Sequence, residues 1–296
     1  METVDPLAQA FTESAPKAPV SMCFSYDLYR PQLFEAILPV VDAIEICPDT
    51  ISYSKGGKIF LEERILEQLQ SVNKDKKIFI HGVGLSIGSY DEMSSNYLYL
   101  LDELFEKLKI TWQSEHLAYC QVDGQNLNTM LAVPRTEEML DLLTTRVLDL
   151  KKRYDVPFLL ENIANILPAQ RYEYSLPVFL NKLHQSSGCG FILDIYNLEC
   201  DEHNYDISLE DHIATLDLQA VKEIHIAGGT TEQNMKLDIH SRKVSDRTLQ
   251  LTEQVLTKNS GVEVLTFELL PEAYSLYEPG EISEHIDEIK RRLSLV

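Results

Sequence analysis

The chain has 296 residues and carries 47 Asp and Glu against 26 Lys and Arg, a formal net charge of −21. That balance excludes a nucleic-acid backbone as partner, because gripping phosphates requires Lys and Arg. Its 5 cysteines are scattered without a C-x-x-C pair, which excludes a disulfide frame and fits free thiols in a reducing, cytoplasmic setting.

Residues 1–19 are rich in Pro, Ala, Ser, Thr and acids, without a basic start or an apolar stretch. They read as a flexible tail, not a signal peptide. No run of roughly eighteen apolar residues occurs, so no membrane-spanning helix is expected. From residue 20 to 296 no linker interrupts the chain, and the length suits one large α/β domain.

Within it, short runs of Ile, Leu, Val and Phe predict strands at 20–25, 43–47, 77–81, 111–117, 157–161, 190–195, 221–226 and 262–269. Amphipathic patterns predict helices at 31–38, 60–72, 94–108, 136–153, 176–185, 209–216, 245–256 and 282–293. In 94–108, for example, Leu98, Leu101, Leu104, Phe105 and Leu108 form one apolar stripe. Strand and helix alternating about every 35 residues predict a (β/α)8 TIM barrel. A doubly wound sheet is the runner-up, but the first strand runs into Ser25-Tyr-Asp-Leu-Tyr-Arg, not a glycine-rich phosphate loop. The longer connections 119–133 and 228–243 are candidate site loops.

Polar residues gather where such a barrel places function, at the strand C-termini. Strand two ends in Glu45, with Asp49 close behind; strand three ends in His81; strand four in Ser114-Glu115-His116. Strand five ends in Glu161-Asn162, strand six in Asp194 with Asn197 following, and strand eight in Glu268. Strand seven gives His225, and the loop after it Asp238 and His240, two apart and so on one side of extended backbone. Burying so many carboxylates and imidazoles together is unfavourable unless cations neutralise them. The set exceeds what one ion needs, so two or three metals are expected, with Glu161 and Asp194 as bridging carboxylates; mixed His and carboxylate donors suit Fe, Mn and Zn. The other histidines, His184, His203, His212 and His285, read as solvated, and residues 199–202 and 278–288 as acidic surface. Tyr26, Tyr119 and Tyr196 read equally as pocket wall or packing. Arg242 and Lys243 read as exposed charge.

The stretches His81-Gly-Val-Gly-Leu-Ser-Ile-Gly, Ser114-Glu-His-Leu-Ala, Glu161-Asn, Leu193-Asp-Ile-Tyr-Asn-Leu, His225-Ile-Ala-Gly, Asp238-Ile-His and Phe267-Glu268 follow one another over nearly the whole chain. Together they resemble the multinuclear non-haem iron-dependent oxidase family, whose members help make methanobactin and other modified peptides. The resemblance implies a xylose-isomerase-like barrel holding two or three irons, with dioxygen as co-substrate. The ligands it implies are His81, His116, Glu161, Asn162, Asp194, Asn197, His225, Asp238, His240 and Glu268; Glu161, Asp194 and Asp238 are the carboxylates expected to carry the chemistry. It further implies oxidation of a residue, cysteine first, in a ribosomally made precursor peptide, often with a separate partner protein that binds the leader.

The sequence departs from that family at three points. Ala227-Gly228-Gly229 stands where many relatives read Ala-Gly-His, Glu115 stands where Asp is common, and no Arg-Asp pair follows Glu268. The order of ligands also resembles endonuclease IV, a zinc phosphodiesterase, but that family has a His where this chain has Asn197, and it needs basic DNA-gripping loops. A divalent-metal sugar isomerase or epimerase, and a non-catalytic subunit that binds no metal, complete the alternatives.

Overall fold

Short strands that are apolar on both faces close into an eight-stranded parallel barrel in this computed structural model, which describes residues 19–26, 30–258 and 261–295. The expected tail, Pro19 apart, lies outside the described residues. The barrel strands are β1 (Ser21–Tyr26), β2 (Ala43–Ile46), β3 (Lys77–Gly82), β4 (Ile110–His116), β5 (Phe158–Glu161), β6 (Gly190–Asp194), β7 (Val221–Ile226) and β8 (Val264–Phe267). Each pairs in parallel with the next, and β8 closes on β1. All eight fall where the sequence predicts them.

Alternation along these strands divides the core in two. Cys23, Ala43, Phe79, Trp112, Leu159, Ile192 and Val264 form one cluster inside the barrel, with the Phe79 and Trp112 rings stacked 4.1 Å apart. Their neighbours in sequence, such as Phe24, Ile44, Ile78, Phe158, Leu193 and Leu265, belong to a separate cluster with the outer helices. The barrel floor is therefore filled with side chains. Two residues further along each strand, the same inward face reaches the polar set of Glu45, His81, Ser114, Glu161, Asp194, His225 and Thr266.

The outer helices are α1 (Pro31–Ile37), α2 (Glu63–Val72), α3 (Ser95–Lys107), α4 (Glu137–Tyr154), α5 (Leu176–Ser187), α6 (Ile195–Tyr205), α7 (Leu209–Thr215), α8 (Asp246–Lys258) and α9 (Pro279–Arg292). Helix α6 is absent from the sequence-based expectation, which runs the strand on through Ile195. Asp194 instead ends the strand and caps the helix, accepting the Asn197 N–H at 2.6 Å. A second difference lies at 60–72, where residues Lys58–Leu61 pair with Ser52–Lys55 as a hairpin and α2 begins only at Glu63. The loop after β4 is likewise a hairpin of Ala118–Val122 and Gln125–Ala132.

Part of what reads as surface proves buried. Within 199–202, Glu199 and Asp201 are enclosed: α6 lies across the barrel end, where Glu199 accepts the Thr248 hydroxyl at 2.7 Å and Asp201 accepts the Asn165 N–H at 2.7 Å. His212 and His285 are also buried. His285 lies on the Ile282–Ile286–Ile289 stripe of α9 and accepts the Val244 N–H at 2.9 Å. His203 is exposed, as are Glu278, Glu281, Glu284 and Glu288. All five cysteines are free. No helix among the described residues is long and apolar enough to cross a membrane.

Candidate metal centre

Parallel register sets the ligand candidates side by side at one end of the barrel. His116 on β4 pairs with Glu161 on β5, and Asp194 on β6 pairs with His225 on β7. Gly82 and Gly84 after His81 let the chain pass close to neighbouring side chains. A Cβ at 82 would lie 2.1 Å from Glu115 Oε1, and one at 84 would lie 2.3 Å from Asp49 Oδ1.

The proton positions in the first group follow from its hydrogen bonds. Ser114 donates its hydroxyl to the Ile80 carbonyl at 2.9 Å, so its oxygen accepts from His81 Nδ1–H, also at 2.9 Å. His116 Nδ1–H donates to the Gly82 carbonyl at 2.9 Å. Each ring thereby turns a bare Nε2 lone pair inward. Those two nitrogens lie 2.9 and 3.1 Å from Glu161 Oε2 and 3.3 Å from each other. Three lone pairs at such spacing repel unless a cation sits among them, and donor–donor separations near 3 Å are those of ligands around one transition metal.

A second group shares Glu161. Its Oε1 is 3.0 Å from His225 Nδ1, which is 3.4 Å from Glu268 Oε2. Ligand atoms of Glu161, Asp194, His225 and Glu268 all lie within 4.8 Å of one another. Asp194 Oδ2, Glu161 Oε2, Asn197 Oδ1 and both His225 nitrogens are buried without a hydrogen-bond partner. Such orphaned atoms are costly unless something binds them. A third grouping extends from there: His240 lies 2.9 Å from Glu268 Oε2 through Nδ1, and 2.8 Å from Asp238 Oδ1 and 3.6 Å from Asp194 Oδ2 through Nε2. The residues present therefore fit two or three divalent metals, with Glu161, Asp194 and Glu268 each positioned between groups.

Charge in the centre points the same way. Burial pushes the Glu161 carboxyl up, but His116, His225 and His81 outweigh it and hold it well below the carboxylate range. Burial depresses His81, yet Glu161 and Glu45 overcome this and raise it to about 9. Burial raises Asp194 well above the usual value, and Glu45 to about 7. Without cations the centre would have to gather protons, and bound metals would replace them.

Asp238 and His240 do meet, but not on extended backbone. His240 adopts a left-handed φ of +32°, a strained conformation for a residue with a side chain. Helix α6 holds this loop in place. Asn204 bonds both the Lys236 N–H and its carbonyl, at 2.8 and 2.9 Å; Glu199 pairs with Lys236; and Tyr196 donates to the Leu237 carbonyl at 3.2 Å. Tyr196 also fills the space beside Gly229, where a Cβ would lie 2.2 Å from its hydroxyl oxygen. The glycine at that departure from the family pattern is thus matched by its neighbour.

Beside these groups opens a cavity of about 390 Å³. Glu161, Asn197, Asp238 and Glu268 line it with polar atoms, and Tyr26, Met130, Leu270 and Tyr274 give it apolar walls. One expected ligand does not fit. Both ends of the Asn162 amide are taken by the main chain of Asp194, donating to its carbonyl at 3.0 Å and accepting its N–H at 2.9 Å. Asn162 fixes the end of β6, and its side-chain oxygen is held by a backbone N–H rather than turned to the clustered ligands. Tyr119 lies away from the cavity, and Arg242 and Lys243 are exposed. Glu45 stands outside the expected ligand set and Glu223 outside the expected site, although each lies two residues from another inward position on its strand.

A family model described as RiPP precursor modification enzyme MbnB/TglH/ChrH matches residues 28–293. A UPF0276 protein of Anaeromyxobacter sp. (strain Fw109-5) is 28% identical over 230 residues, 78% of this chain and 79% of that protein. The structure of D-psicose 3-epimerase from Clostridium cellulolyticum is similar with a TM-score of 0.58 at 12% identity, over 93% of this chain and 99% of that one. Endonuclease IV from Thermus thermophilus gives 0.55 at 13% identity, over 93% and 100%. At such identity these two structures share the xylose-isomerase-like fold with this chain and nothing more.

Proposed function

The chain belongs to the MbnB/TglH/ChrH family of enzymes that modify precursors of ribosomally made peptides, and we propose that it does so as an iron- and dioxygen-dependent oxidase acting first on cysteine. The observation that carries this reading is the convergence of His81, His116 and His225 lone pairs on one shared carboxylate, Glu161, beside an open cavity. His81, His116 and Glu161 would hold one iron. Glu161, Asp194, His225 and Glu268 would hold a second, and Asp194, Asp238 and His240, with Asn197 Oδ1 nearby, a third. Iron bound there would supply electron transfer with dioxygen and a soft acceptor for a thiolate.

The chain's own part is positioning, exclusion of water and proton transfer. The apolar walls of Tyr26, Met130, Leu270 and Tyr274 receive the side chains beside the modified residue and limit solvent around the clustered ligands. Asp238, 29% exposed, is the most open of the clustered carboxylates, and it takes the proton that the substrate thiol must lose. Glu161 and Asp194, fully enclosed, stay as fixed negative charge between the metals. The free cysteines fit a cytoplasmic enzyme. A leader-binding partner protein and a single catalytic domain from residue 20 onward belong to the same proposal.

The test is dioxygen uptake by anaerobically iron-loaded protein given a cysteine-bearing precursor peptide, with the peptide's mass followed. Uptake that needs both iron and peptide, with a mass change at cysteine, supports the proposal. Protein that refuses iron, takes zinc or manganese and turns over a phosphodiester or a sugar would contradict it.

A further inference from the structure

His225 differs from the other histidines of the centre in what lies behind it. The outer nitrogens of His81 and His116 donate to neutral oxygens, Ser114 Oγ and the Gly82 carbonyl. His225 instead turns Nε2 toward two carboxylates, Glu45 Oε2 at 3.4 Å and Glu223 Oε1 at 3.5 Å. The two are not equivalent. Glu223 is already supplied with donors: Trp112 Nε1–H at 3.1 Å on Oε2, and the Thr266 hydroxyl on Oε1. Glu45 is 2% exposed, and neither of its oxygens has a hydrogen-bond partner.

Only one side of the ring can face a metal while the other keeps a proton. The Nδ1 side looks onto Glu161 and Glu268, which also border His81, His116 and His240. The Nε2 side looks onto the floor of the barrel, where Glu223 already takes one donor on each oxygen and Glu45 takes none. We infer that Glu45 is a positioning residue: it accepts the Nε2–H of His225, fixes that tautomer and makes His225 the one strand-borne histidine of the centre that presents Nδ1 to the metals. A carboxylate behind an imidazole makes it a stronger donor than a carbonyl or hydroxyl does. The metal beside His225 would then be more electron-rich than the one beside His81 and His116. This inference rests on the reading of the site as a metal centre, though not on which metal or which substrate.

The test uses the full chain with ¹⁵N-labelled histidine, loaded with zinc as a diamagnetic probe and read by long-range ¹H–¹⁵N correlation. The expected wild-type spectrum shows His225 bound through Nδ1 and protonated on Nε2, with His81 and His116 bound through Nε2 and protonated on Nδ1. Glu45→Gln should keep the number of zinc equivalents, shift the His225 Nε2–H signal and weaken one equivalent by about 10- to 100-fold. Three outcomes would overturn the inference. In the first, wild-type His225 is bound through Nε2. In the second, the Glu45→Gln signal and affinities are unchanged. In the third, one equivalent is lost outright with a free His225 ring, which would make Glu45 a ligand. If Glu45→Gln fails to fold, the wild-type spectrum alone decides. Failure of the wild type to take up zinc would remove the metal-centre reading itself, and the inference with it.

Discussion

The two ends of the candidate metal centre are built by different means. At one end, His81, His116 and Glu161 stand at the C-terminal ends of adjacent strands, and the ladders of β3 with β4 and of β4 with β5 fix their spacing. Short bonds to Ser114 and Gly82 set both imidazole rings. At the other end, Asp238 and His240 stand on a loop, one of them with a strained backbone, and side chains of α6 clamp that loop from behind. Ligands on strands are held by the fold itself, whereas ligands on loops need dedicated supports. The first group is therefore expected to be the more rigid and to bind metal with the fold alone. The second should be separable from it by mutation.

The largest effect should come where the two ends join. Glu161→Gln removes the carboxylate shared by both groups, and it should lower iron uptake at both and cut activity by about a thousandfold or more, as expected for a member of a group that acts as a unit. Metal analysis beside turnover would check this; loss of one equivalent alone would break the idea of a shared ligand. Asp238→Ala and His240→Ala come next. Each should lose activity and one metal equivalent while leaving the His81–His116 equivalent bound. If either change emptied the whole centre, the ends would not be independent.

Loosening the clamp should act more gently. Glu199→Gln or Asn204→Ala should weaken the loop-side equivalent by about 10- to 100-fold without touching the strand-side one, as changes behind a ligand commonly do. An equal loss at both ends, seen by competitive chelator titration, would mean that α6 supports the barrel and not the loop. The smallest effect is expected for Ser114→Ala, which removes one hydrogen bond behind His81, a contribution of about 1 kcal/mol. It should weaken the strand-side equivalent alone, by about tenfold or less.

The same contrast explains what the sequence made legible. The barrel was readable because each strand is a short apolar run, and the polar residues at the strand ends could be picked out because function in this fold gathers there. Period-two alternation also carried Glu45 and Glu223, since both lie two residues from another inward position. Glu45 stands at a strand end yet outside the ligand set, and Glu223 escapes notice because a buried acid inside an apolar strand looks like an isolated exception. Asn162 misled in the opposite direction: its place beside Glu161 suggests a ligand, and only the bonds to Asp194 show both amide ends engaged. Helix α6 was invisible because Leu193-Asp-Ile-Tyr continues the apolar character of β6. The Asp-x-x-Asn cap was the available signal. With α6 missed, Glu199 could only look like surface, and the clamp on Lys236 depends on tertiary contacts that no local pattern contains.

The central claim is that adjoining ligand groups share Glu161 and hold separate metals. Elemental analysis with Mössbauer spectra on anaerobically iron-loaded protein, comparing wild type with Asp238→Ala, tests it most directly. The account predicts two or three irons per chain in distinguishable environments, with one environment lost in the variant and the strand-side signal kept. A single iron environment, or none, in the wild type would contradict it.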